Sequence, residues 1–488
     1  MRISPNLSPN NSFDDRLSPP SQSSYLSITE RIAAGKALRQ QVKRSVHAEY
    51  CPPSDPPGAA ARSGRDPVAV LEAQAKTRIP GLVPIRYARM LTSPFAFLRG
   101  GAAIFIQDIA SAPTTGIQVQ ACGDLHVSNF GLFASAERNL VFGINDFDET
   151  YPGAWEWDLK RLVASAVVAG RHLGGDRATC ENAVRATVRS YRRHLQDYAE
   201  MSYLDLWYEN IAGDDLLQKV PDELQKQAIQ FFAKARQRNH LQVLHKMTEL
   251  VDQQHQLLES PPLVVRVTTT SDRRPIQEAL GQLIQDYFAS LSVDRRLLLS
   301  RYRIIDVAHK VVGVGSVGTR CWVAYLEGVG ADDPLFLQVK EAKPSVLASY
   351  SSVLCSDFVP DNHQGHRVVI GQRMIQGAPD IFLGWGEMNG IHYYIRQLRD
   401  MKGGIKLEPG KYRPASLPDY CGLCGWALAL AHAKSGDAAL LAGYMGKSEA
   451  LDDALVKFAF AYADQTERDY EQLALAAKQG RIPVASEF

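Results

Sequence analysis

A glycine-rich segment in the second half of the chain constrains the fold more than any other feature. The segment G-V-G-S-V-G contains Gly313, Gly315 and Gly318. The run T-R-C-W-V-A-Y-L-E-G follows it directly, and its alternation of apolar and other side chains predicts a strand. A dinucleotide-binding turn would instead have to open a helix here. The glycines are therefore predicted to join two strands of a hairpin.

A lysine completes this pattern. A third strand, L-F-L-Q-V-K, ends at Lys340. A hairpin with a glycine loop, followed by a lysine on the third strand, is the arrangement with which kinases cover and pair nucleotide phosphates. The alternative is an ordinary glycine-rich hairpin beside a surface lysine.

Polar residues cluster at the ends of two strands in the first half of the chain. The run A-C-G-D-L-H-V-S-N-F-G holds Asp124, His126 and Asn129, and the next strand ends in N-D-F-D-E with Asp146 and Asp148. Carboxylates this close repel one another unless a cation or hydrogen bonds compensate, which favours Mg²⁺. A second aspartate nearby could accept a proton from a substrate hydroxyl. Asp-rich strand ends also occur as simple caps and turns.

Composition excludes several classes of protein. The 488 residues carry a net charge of +1, and no long Lys/Arg run offers a nucleic-acid surface. We find no apolar run long enough for a membrane span and no signal-peptide pattern, so a cytoplasmic protein without nucleic-acid or membrane partners is predicted. Cys421 and Cys424 form a lone C-x-x-C, which favours two thiols in a buried helix over a zinc site. His432, on the same helix, is predicted to be a core histidine.

The N-terminal region is predicted to be an extension. Residues 1–25 are predicted to be disordered, and 51–66 to be a linker. Between them, 27–48 has helical spacing, with Ser27 as N-cap and Glu30 three residues later.

The remaining elements follow from periodicity. Strands are predicted over 95–106, 116–125, 139–148, 263–270, 302–341, 366–376 and 391–398, and mostly helix over 156–260, 422–434 and 450–479.

These motifs resemble the aminoglycoside phosphotransferase and choline kinase branch of the protein-kinase-like superfamily. C-G-D-L-H-V-S-N at 122–129 is similar to its catalytic loop, H-G-D-x-H-x-x-N, and I-N-D-F-D at 144–148 to the strand end that follows it. G-A-W-E-W-D-L-K at 153–160 loosely matches its next motif. L-A-L-A-H at 428–432 resembles the end of the helix that precedes the catalytic loop.

The resemblance implies an α+β, two-lobed, protein-kinase-like fold with a circularly permuted motif order, because reading from 302 to the C-terminus and then from about 95 to 200 restores the usual order. The implied parts are an extension and linker at 1–65, a C-lobe-like part at 66–300, an N-lobe-like β-rich part at 301–400, and a helical part at 401–488 that returns to the C-lobe.

A closer resemblance, over nearly the whole chain, is to the bacterial domain-of-unknown-function family 2252. It rests on R-Y-A-R-M-L-T-S-P-F-A-F-L-R-G at 86–100 and on the runs G-D-L-H-V-S-N-F-G, N-D-F-D-E-T, G-V-G-S-V-G, L-Q-V-K-E-A, G-Q-R-M-I-Q and A-H-A-K-S-G-D. This family names no substrate and supports only the kinase-like placement.

The kinase resemblance implies a role for each site residue. Asp124 is the implied catalytic base, and His126 supports its loop. The implied Mg²⁺ ligands are Asn129, Asp146 and Asp148. The residues that would cover the phosphates are Gly313, Gly315, Ser316 and Gly318, and Lys340 would pair with the phosphates. The implied cofactors are ATP and Mg²⁺, and the partners are a nucleotide and a small-molecule or protein acceptor.

Two departures leave alternatives open. Cys122 stands where the kinase branch usually has histidine, and no helix glutamate for Lys340 follows it, because Glu341 should point to the opposite face of its strand. A phosphotransferase is the favoured hypothesis. The alternatives are a nucleotidyltransferase, a non-catalytic nucleotide-binding module, and a metal-dependent phosphoesterase built on the residues near Asp124.

The acceptor cannot be identified from these motifs. Five arginines could form an anionic substrate pocket or, alternatively, structural ion pairs: Arg86, Arg89, Arg99, Arg373 and Arg396.

Overall fold

The computed structural model describes residues 26–50, 65–218, 222–237, 240–266, 276–359, 361–377, 379–398, 401 and 403–486. Within them, helices and antiparallel strands form an α+β protein, as predicted. The helices are α1 Ile28–Ala37, α2 Pro67–Ala75, α3 Val83–Met90, α4 Pro94–Gly100, α5 Ala102–Ile109, α6 Trp155–His172, α7 Arg177–Ala199, α8 Tyr203–Tyr208, α9 Gly213–Gln218, α10 Asp222–Arg236, α11 His240–Met247, α12 Ile276–Ser290, α13 Val293–Leu299, α14 Cys355–Phe358, α15 Gln364–Gln376, α16 Leu417–Ser435, α17 Ala438–Met445 and α18 Ala450–Lys478. The strands are β1 Gln118–Ala121, β2 Phe130–Ala134, β3 Leu140–Ile144, β4 Tyr151–Ala154, β5 Ile211–Ala212, β6 Thr248–Val251, β7 Gln254–Leu257, β8 Val264–Arg266, β9 Arg303–Lys310, β10 Cys321–Glu327, β11 Pro334–Glu341, β12 Gly384–Met388 and β13 Ile391–Gln397. Among the described helices, none combines the length and apolar character that a bilayer crossing requires.

The largest sheet contains the predicted glycine hairpin. Its order is β12-β13-β11-β10-β9-β8, with β9 and β10 flanking the glycine segment. In β11, Lys340 lies opposite Cys321 of β10 and opposite Tyr394 of β13. Residues opposite each other in antiparallel strands project from the same face, so the side chains of Lys340 and Tyr394 lie together. The strands predicted within 302–341 and over 391–398 are confirmed.

Helices form the other large part of the molecule around α6. Sixteen of the eighteen residues of α6 are buried, as expected for a helix surrounded by protein on all sides. Strand β1 leads into this body and pairs antiparallel with β4, which runs directly into α6. The segment 122–150 therefore begins and ends at one end of the same strand pair. Both polar motifs of the first half of the chain lie in it.

Helices α7 and α16 pack closely where Gly425 faces Thr187. A Cβ atom at Gly425 would lie 2.2 Å from the Thr187 carbonyl oxygen, whereas one at Gly422, on the same helix, would meet nothing closer than 4.0 Å. We expect Gly425→Ala to lower the free energy of unfolding by about 1–3 kcal/mol, because the helices must separate. The matched control Gly422→Ala should be neutral or stabilising by up to about 1 kcal/mol. Denaturant unfolding measures both, and equal stabilities would contradict the close packing.

Two predicted strands are wrong. Residues 95–106 form α4 and α5, because the Ser93 side chain accepts a hydrogen bond from the Ala96 amide and Pro94 occupies the first helical position. Residues 366–376 belong to α15, which His363 caps in the same way by accepting from the His366 amide. Both segments are largely buried, and their short apolar runs resemble strand patterns.

The block predicted as mostly helical, 156–260, also contains the short strand β5 and the hairpin β6–β7. Of the predicted strand 263–270, the described part contributes β8, and 267–270 lie outside the described residues. The helices predicted over 422–434 and 450–479 are confirmed within α16 and α18.

The N-terminal helix begins as predicted but is shorter. Ser27 and Glu30 form a reciprocal capping box at α1. The helix ends at Ala37, and two short 3₁₀ turns replace the rest of the predicted 27–48 helix. The disorder predicted for 1–25 lies outside the described residues, as does 51–64 of the linker predicted over 51–66. Asp66 caps α2.

The C-x-x-C motif is part of the core. Cys421 and Cys424 are buried on α16 with free thiols, as predicted. His432, on the same helix, is fully buried and bonds Tyr191, its Nδ1 lying 2.7 Å from the tyrosine hydroxyl.

Candidate active site

A buried carboxylate anchors the loop that follows β1. Asp158, in the first turn of α6, accepts hydrogen bonds from the amides of Cys122 (2.6 Å) and Gly123 (2.9 Å). Gly123 has a φ of 77°, and a Cβ atom there would lie 2.5 Å from the Glu149 carbonyl oxygen. Glycine is therefore required at this position. The contact of Gly123 with Glu149 also brings the two polar motifs together.

Asp124 lies at the centre of the site. One oxygen, Oδ1, accepts from Arg161 of α6, whose Nε lies 2.9 Å away. The Asp124 side chain remains 23 % exposed. Burial raises its pKa to about 7, although the Arg161 charge acts in the opposite direction. A carboxylate with a pKa near neutrality and a partly exposed oxygen is suited to accept a proton.

Asn129 and Asp146 present oxygen atoms beside Asp124. The Asn129 amide nitrogen donates to the Asp124 carbonyl oxygen (2.7 Å), and the Asn129 carbonyl oxygen of the main chain accepts from the Asn145 amide (2.9 Å). The Asp146 Oδ1 atom is buried without a hydrogen-bond partner, and the Lys340 ammonium lies 3.7 Å from it. A buried carboxylate oxygen without a donor is a site for a cation.

Asp148 is the partner of Lys340. Its Oδ2 forms an ion pair with the Lys340 ammonium and accepts from the Ser316 hydroxyl (3.0 Å), while its Oδ1 accepts from the Tyr394 hydroxyl (2.6 Å). Burial acts to lower the pKa of Lys340, but Asp146 and Asp148 raise it well above its usual value. Burial likewise acts to raise the pKa of Asp148, but Lys340 keeps it below its usual value. Both Asp148 oxygens are therefore already occupied by protein donors.

The segment 311–320, the glycine loop, lies over these carboxylates. Gly313 and Gly318 have φ values of 68° and 88°, in the left-handed region that favours glycine. A Cβ atom at Gly315 would lie 3.2 Å from the Arg99 carbonyl oxygen and 3.9 Å from the Asp124 Oδ2 atom. The fold thus brings together the two groups of residues predicted from separate parts of the sequence.

Two chambers meet beneath the glycine loop. The larger chamber, of about 750 Å³, is lined by residues that include Asn145, Gln338, Lys340, Gln372 and Arg396. The smaller chamber, of about 440 Å³, is lined by residues that include Arg78, Arg86, Arg99, Asp124 and Asn129. Both chambers share Asp146, Gly313 and Ser316. Asp146 therefore lies at the junction.

His126 is buried within the Asp124 loop. It is 3 % exposed, and its Nδ1 accepts from the Ser128 amide (3.2 Å), which closes the short turn before Asn129. Burial, and to a lesser extent the charges of Arg99 and Arg161, lower its pKa well below the usual value. His126 is therefore a neutral imidazole at physiological pH.

The five arginines suggested by the sequence are divided among different surroundings. Arg86 and Arg99 line the smaller chamber, and Arg396 lines the larger one. Arg89 donates to a carbonyl oxygen of the glycine loop (2.6 Å), and Arg373 donates to a main-chain carbonyl beside β12 (2.8 Å). Glu341 pairs with Arg320, the last residue of the glycine loop, and not with Lys340, as the strand alternation predicts.

Sequence reasoning missed four residues of the site: Asp158, Arg161, Arg78 and Tyr394. Asp158 had a usable signal, because it lies in the run 153–160, which loosely matches a motif of the kinase branch. Arg161, three residues further on, is one of several charged residues in the same helix. Arg78 and Tyr394 have no such signal, because only the tertiary fold brings them to the site.

Among the described residues, no group of three or more His, Cys, Asp or Glu side chains is arranged to hold a metal ion. A zinc-type cage is therefore not found in the described ranges. The oxygens of Asn129 and Asp146 form a smaller set, of the kind that binds Mg²⁺ together with water and substrate phosphates.

Comparison with known proteins identifies the family. The family model described as an uncharacterised protein conserved in bacteria (DUF2252) matches residues 78–476. No curated protein and no solved structure matches the chain. The matched range includes the Asp124 loop, the glycine loop and Lys340. Because the match covers most of the sequence, this chain belongs to the bacterial DUF2252 family.

Proposed function

We propose that this protein is an ATP- and Mg²⁺-dependent phosphotransferase with a two-lobed, kinase-like fold in circularly permuted order. One observation carries the proposal: a glycine loop and a buried lysine from one sheet close over an aspartate–asparagine loop from the helical body. The lysine, Lys340, and its partner, Asp148, are 192 residues apart in the chain. A glycine loop and lysine beside a carboxylate–amide pair are the parts that phosphoryl transfer requires.

The order of elements supports the permutation. Strands β9, β10 and β11, helix α15, strands β12 and β13, and helix α16 follow one another in the second half of the chain. The Asp124 loop, the β2–β3 hairpin and α6, which would come next in an ordinary kinase, lie in the first half. Reading the second half first gives the order in which kinases use these parts.

The donor atoms fit Mg²⁺. Asp146 offers a buried oxygen that has no hydrogen-bond donor. The side-chain nitrogen of Asn129 already donates a hydrogen bond, which leaves the side-chain oxygen of Asn129 as a ligand. These two residues would hold the ion, which supplies charge neutralisation of the nucleotide phosphates when bound. Asp148, with both oxygens occupied, is assigned instead to orient Lys340.

Each part of the site has a separate role in the proposed reaction. The larger chamber takes the nucleotide, with Lys340 and the amides of the glycine loop contacting its phosphates. Asp124 accepts the proton of the acceptor hydroxyl as that oxygen attacks the terminal phosphorus. The bond from phosphorus to the ADP oxygen breaks, and the products are ADP and the phosphorylated acceptor. Arg161 fixes the orientation of Asp124.

Calorimetry with ATP, with and without Mg²⁺, tests the proposal. Wild-type protein should bind ATP in a Mg²⁺-dependent manner, and Asp146→Ala should weaken binding by about tenfold or more, because it removes a charged ligand. Asp361→Ala is the matched control, since Asp361 is an aspartate that lines neither chamber. Folded wild-type protein that does not bind ATP would overturn the proposal.

A further inference from the structure

The smaller chamber is lined by three arginines with buried, unpartnered nitrogen atoms, and the phosphotransferase mechanism gives these residues no role. Arg86 is fully buried, and its Nε and Nη1 atoms have no hydrogen-bond partner. The Nε atoms of Arg78 and Arg99 are also buried without partners. In the described part of the chain, none of these three arginines forms an ion pair with a carboxylate, although all three line the chamber.

The contacts that these arginines do make are to neutral groups. Arg86 donates to the Gln74 side chain (2.9 Å) and to the Gly100 carbonyl oxygen (3.1 Å). Arg78 donates to the Val317 carbonyl oxygen (2.5 Å). Burial, reinforced by the nearby charge of Arg78, lowers the pKa of Arg86 to about 9. Arg78 and Arg86 are therefore held in place by neutral groups, and carboxylates act on Arg78 and Arg99 only at longer range.

The carboxylates of the same chamber attract Arg78 and Arg99 at longer range, but most of them already have closer partners. Asp124 is paired with Arg161, Asp148 with Lys340, and Glu341 with Arg320. Glu149 accepts from the Val346 amide (2.7 Å). Asp146 is the ligand assigned to Mg²⁺ above.

We propose that the smaller chamber binds a small acceptor that carries a hydroxyl and an oxyanion group, a carboxylate or a phosphate ester, with Arg78, Arg86 and Arg99 holding the oxyanion. This inference rests on the proposed phosphotransferase function and specifies its acceptor. Guanidinium groups match the planar or tetrahedral oxygens of such anions through paired hydrogen bonds. A chamber of about 440 Å³ has the size of a small-molecule site.

The arginines lie close enough to the Asp124 loop for an acceptor held by them to reach Asp124. Arg161, which orients Asp124, also donates to the Leu98 carbonyl oxygen (2.9 Å), and so ties the residue next to Arg99 to the catalytic loop. An acceptor held by its oxyanion at Arg99 would present a hydroxyl a few bonds away to Asp124. Such positioning by a remote charged group accounts for a large part of catalysis in transfer reactions.

Three probes of equal carbon skeleton test the proposal: glycerol 3-phosphate, glycerate and glycerol. We expect one or both anionic probes to bind in calorimetry and to increase ADP release from Mg-ATP, and we expect glycerol to do neither. The two anionic probes distinguish a phosphate from a carboxylate. Arg99→Gln should weaken binding of the active probe by about 10- to 100-fold, the effect of a lost charge-assisted contact, and leave ATP affinity unchanged.

Controls keep the result decisive. Arg78→Gln gives a second variant that avoids the fully buried Arg86, and Arg373→Gln, outside both chambers that meet at Asp146, should bind the probe as wild type does. Unchanged probe affinity in Arg99→Gln and Arg78→Gln, equal binding of glycerol, or no binding of either anion would overturn the proposal. So would an equal loss of ATP affinity, which would assign the arginines to the nucleotide. Probe binding is measured without ATP, so a failure of the phosphotransferase proposal would be seen separately.

Discussion

Asp124→Asn is expected to lower the rate of phosphoryl transfer by about 10²- to 10⁴-fold, the contribution of a positioned general base. Asparagine has the same shape and keeps an oxygen for Arg161, so the loop should stay folded and ATP should still bind. Transfer to water, measured as phosphate release from Mg-ATP, provides a readout that needs no knowledge of the acceptor. Asp176→Asn is the control, because Asp176 caps α7 and asparagine caps equally well.

The pH dependence gives this prediction a second test. Burial raises the pKa of Asp124 to about 7 in the absence of a metal ion. Proton acceptance requires the ionised carboxylate, so the rate should rise with pH up to about 7 and then level off. A bound cation would favour the ionised form and move this limb to lower pH. A variant that keeps the wild-type rate, or a wild-type rate that falls as pH rises through this range, would contradict the role assigned to Asp124.

Strands were predictable where apolar residues alternate with less apolar ones in the sequence. The glycine hairpin was predicted because Cys321, Val323 and Tyr325 alternate with less apolar residues, and all three side chains are buried on one face of β10. Residues 95–106 were not, because helices buried on most sides show no clean period in short apolar runs. The Ser93–Pro94 pair was the overlooked signal, since serine followed by proline marks a helix start.

The sequence motifs select residues that lie together in the candidate site, but they do not show which tertiary contacts those residues make. Asp124, Asn129 and Asp146 lie in motifs that the sequence singled out, and the fold places all three at the smaller chamber. The partner of Lys340 could not be predicted, because Asp148 and Tyr394 reach it from different parts of the chain, and these two residues are themselves 246 residues apart. A helix glutamate was the expected kind of partner, and a carboxylate on the loop after β3 takes that place in the structure.

The Lys340–Asp148 pair should therefore be measurable as stability. Asp148→Ala is expected to lower the free energy of unfolding of the nucleotide-free protein by about 2–4 kcal/mol, because it leaves a buried ammonium group with only its more distant carboxylate, Asp146. The Lys340 side chain is 5 % exposed and its next carboxylate, Asp146, lies 3.7 Å away. Because the pKa of Asp148 is lowered by folding, its contribution is present at neutral pH and is lost as acid protonates the carboxylate.

Saturating Mg-ATP should restore part of the stability that Asp148→Ala loses, because phosphate oxygens can replace the missing carboxylate at Lys340. The nucleotide should raise the free energy of unfolding of Lys340→Met by a smaller amount. The double variant Lys340→Met/Asp148→Ala should lose less stability than the two single variants combined, because neither charge of the pair is then left without its partner. Urea unfolding of the three variants, with and without nucleotide, measures these differences. A double variant whose loss equals the sum of the single losses would show that the two side chains do not interact, and the carboxylate would then have to act on the metal ion instead.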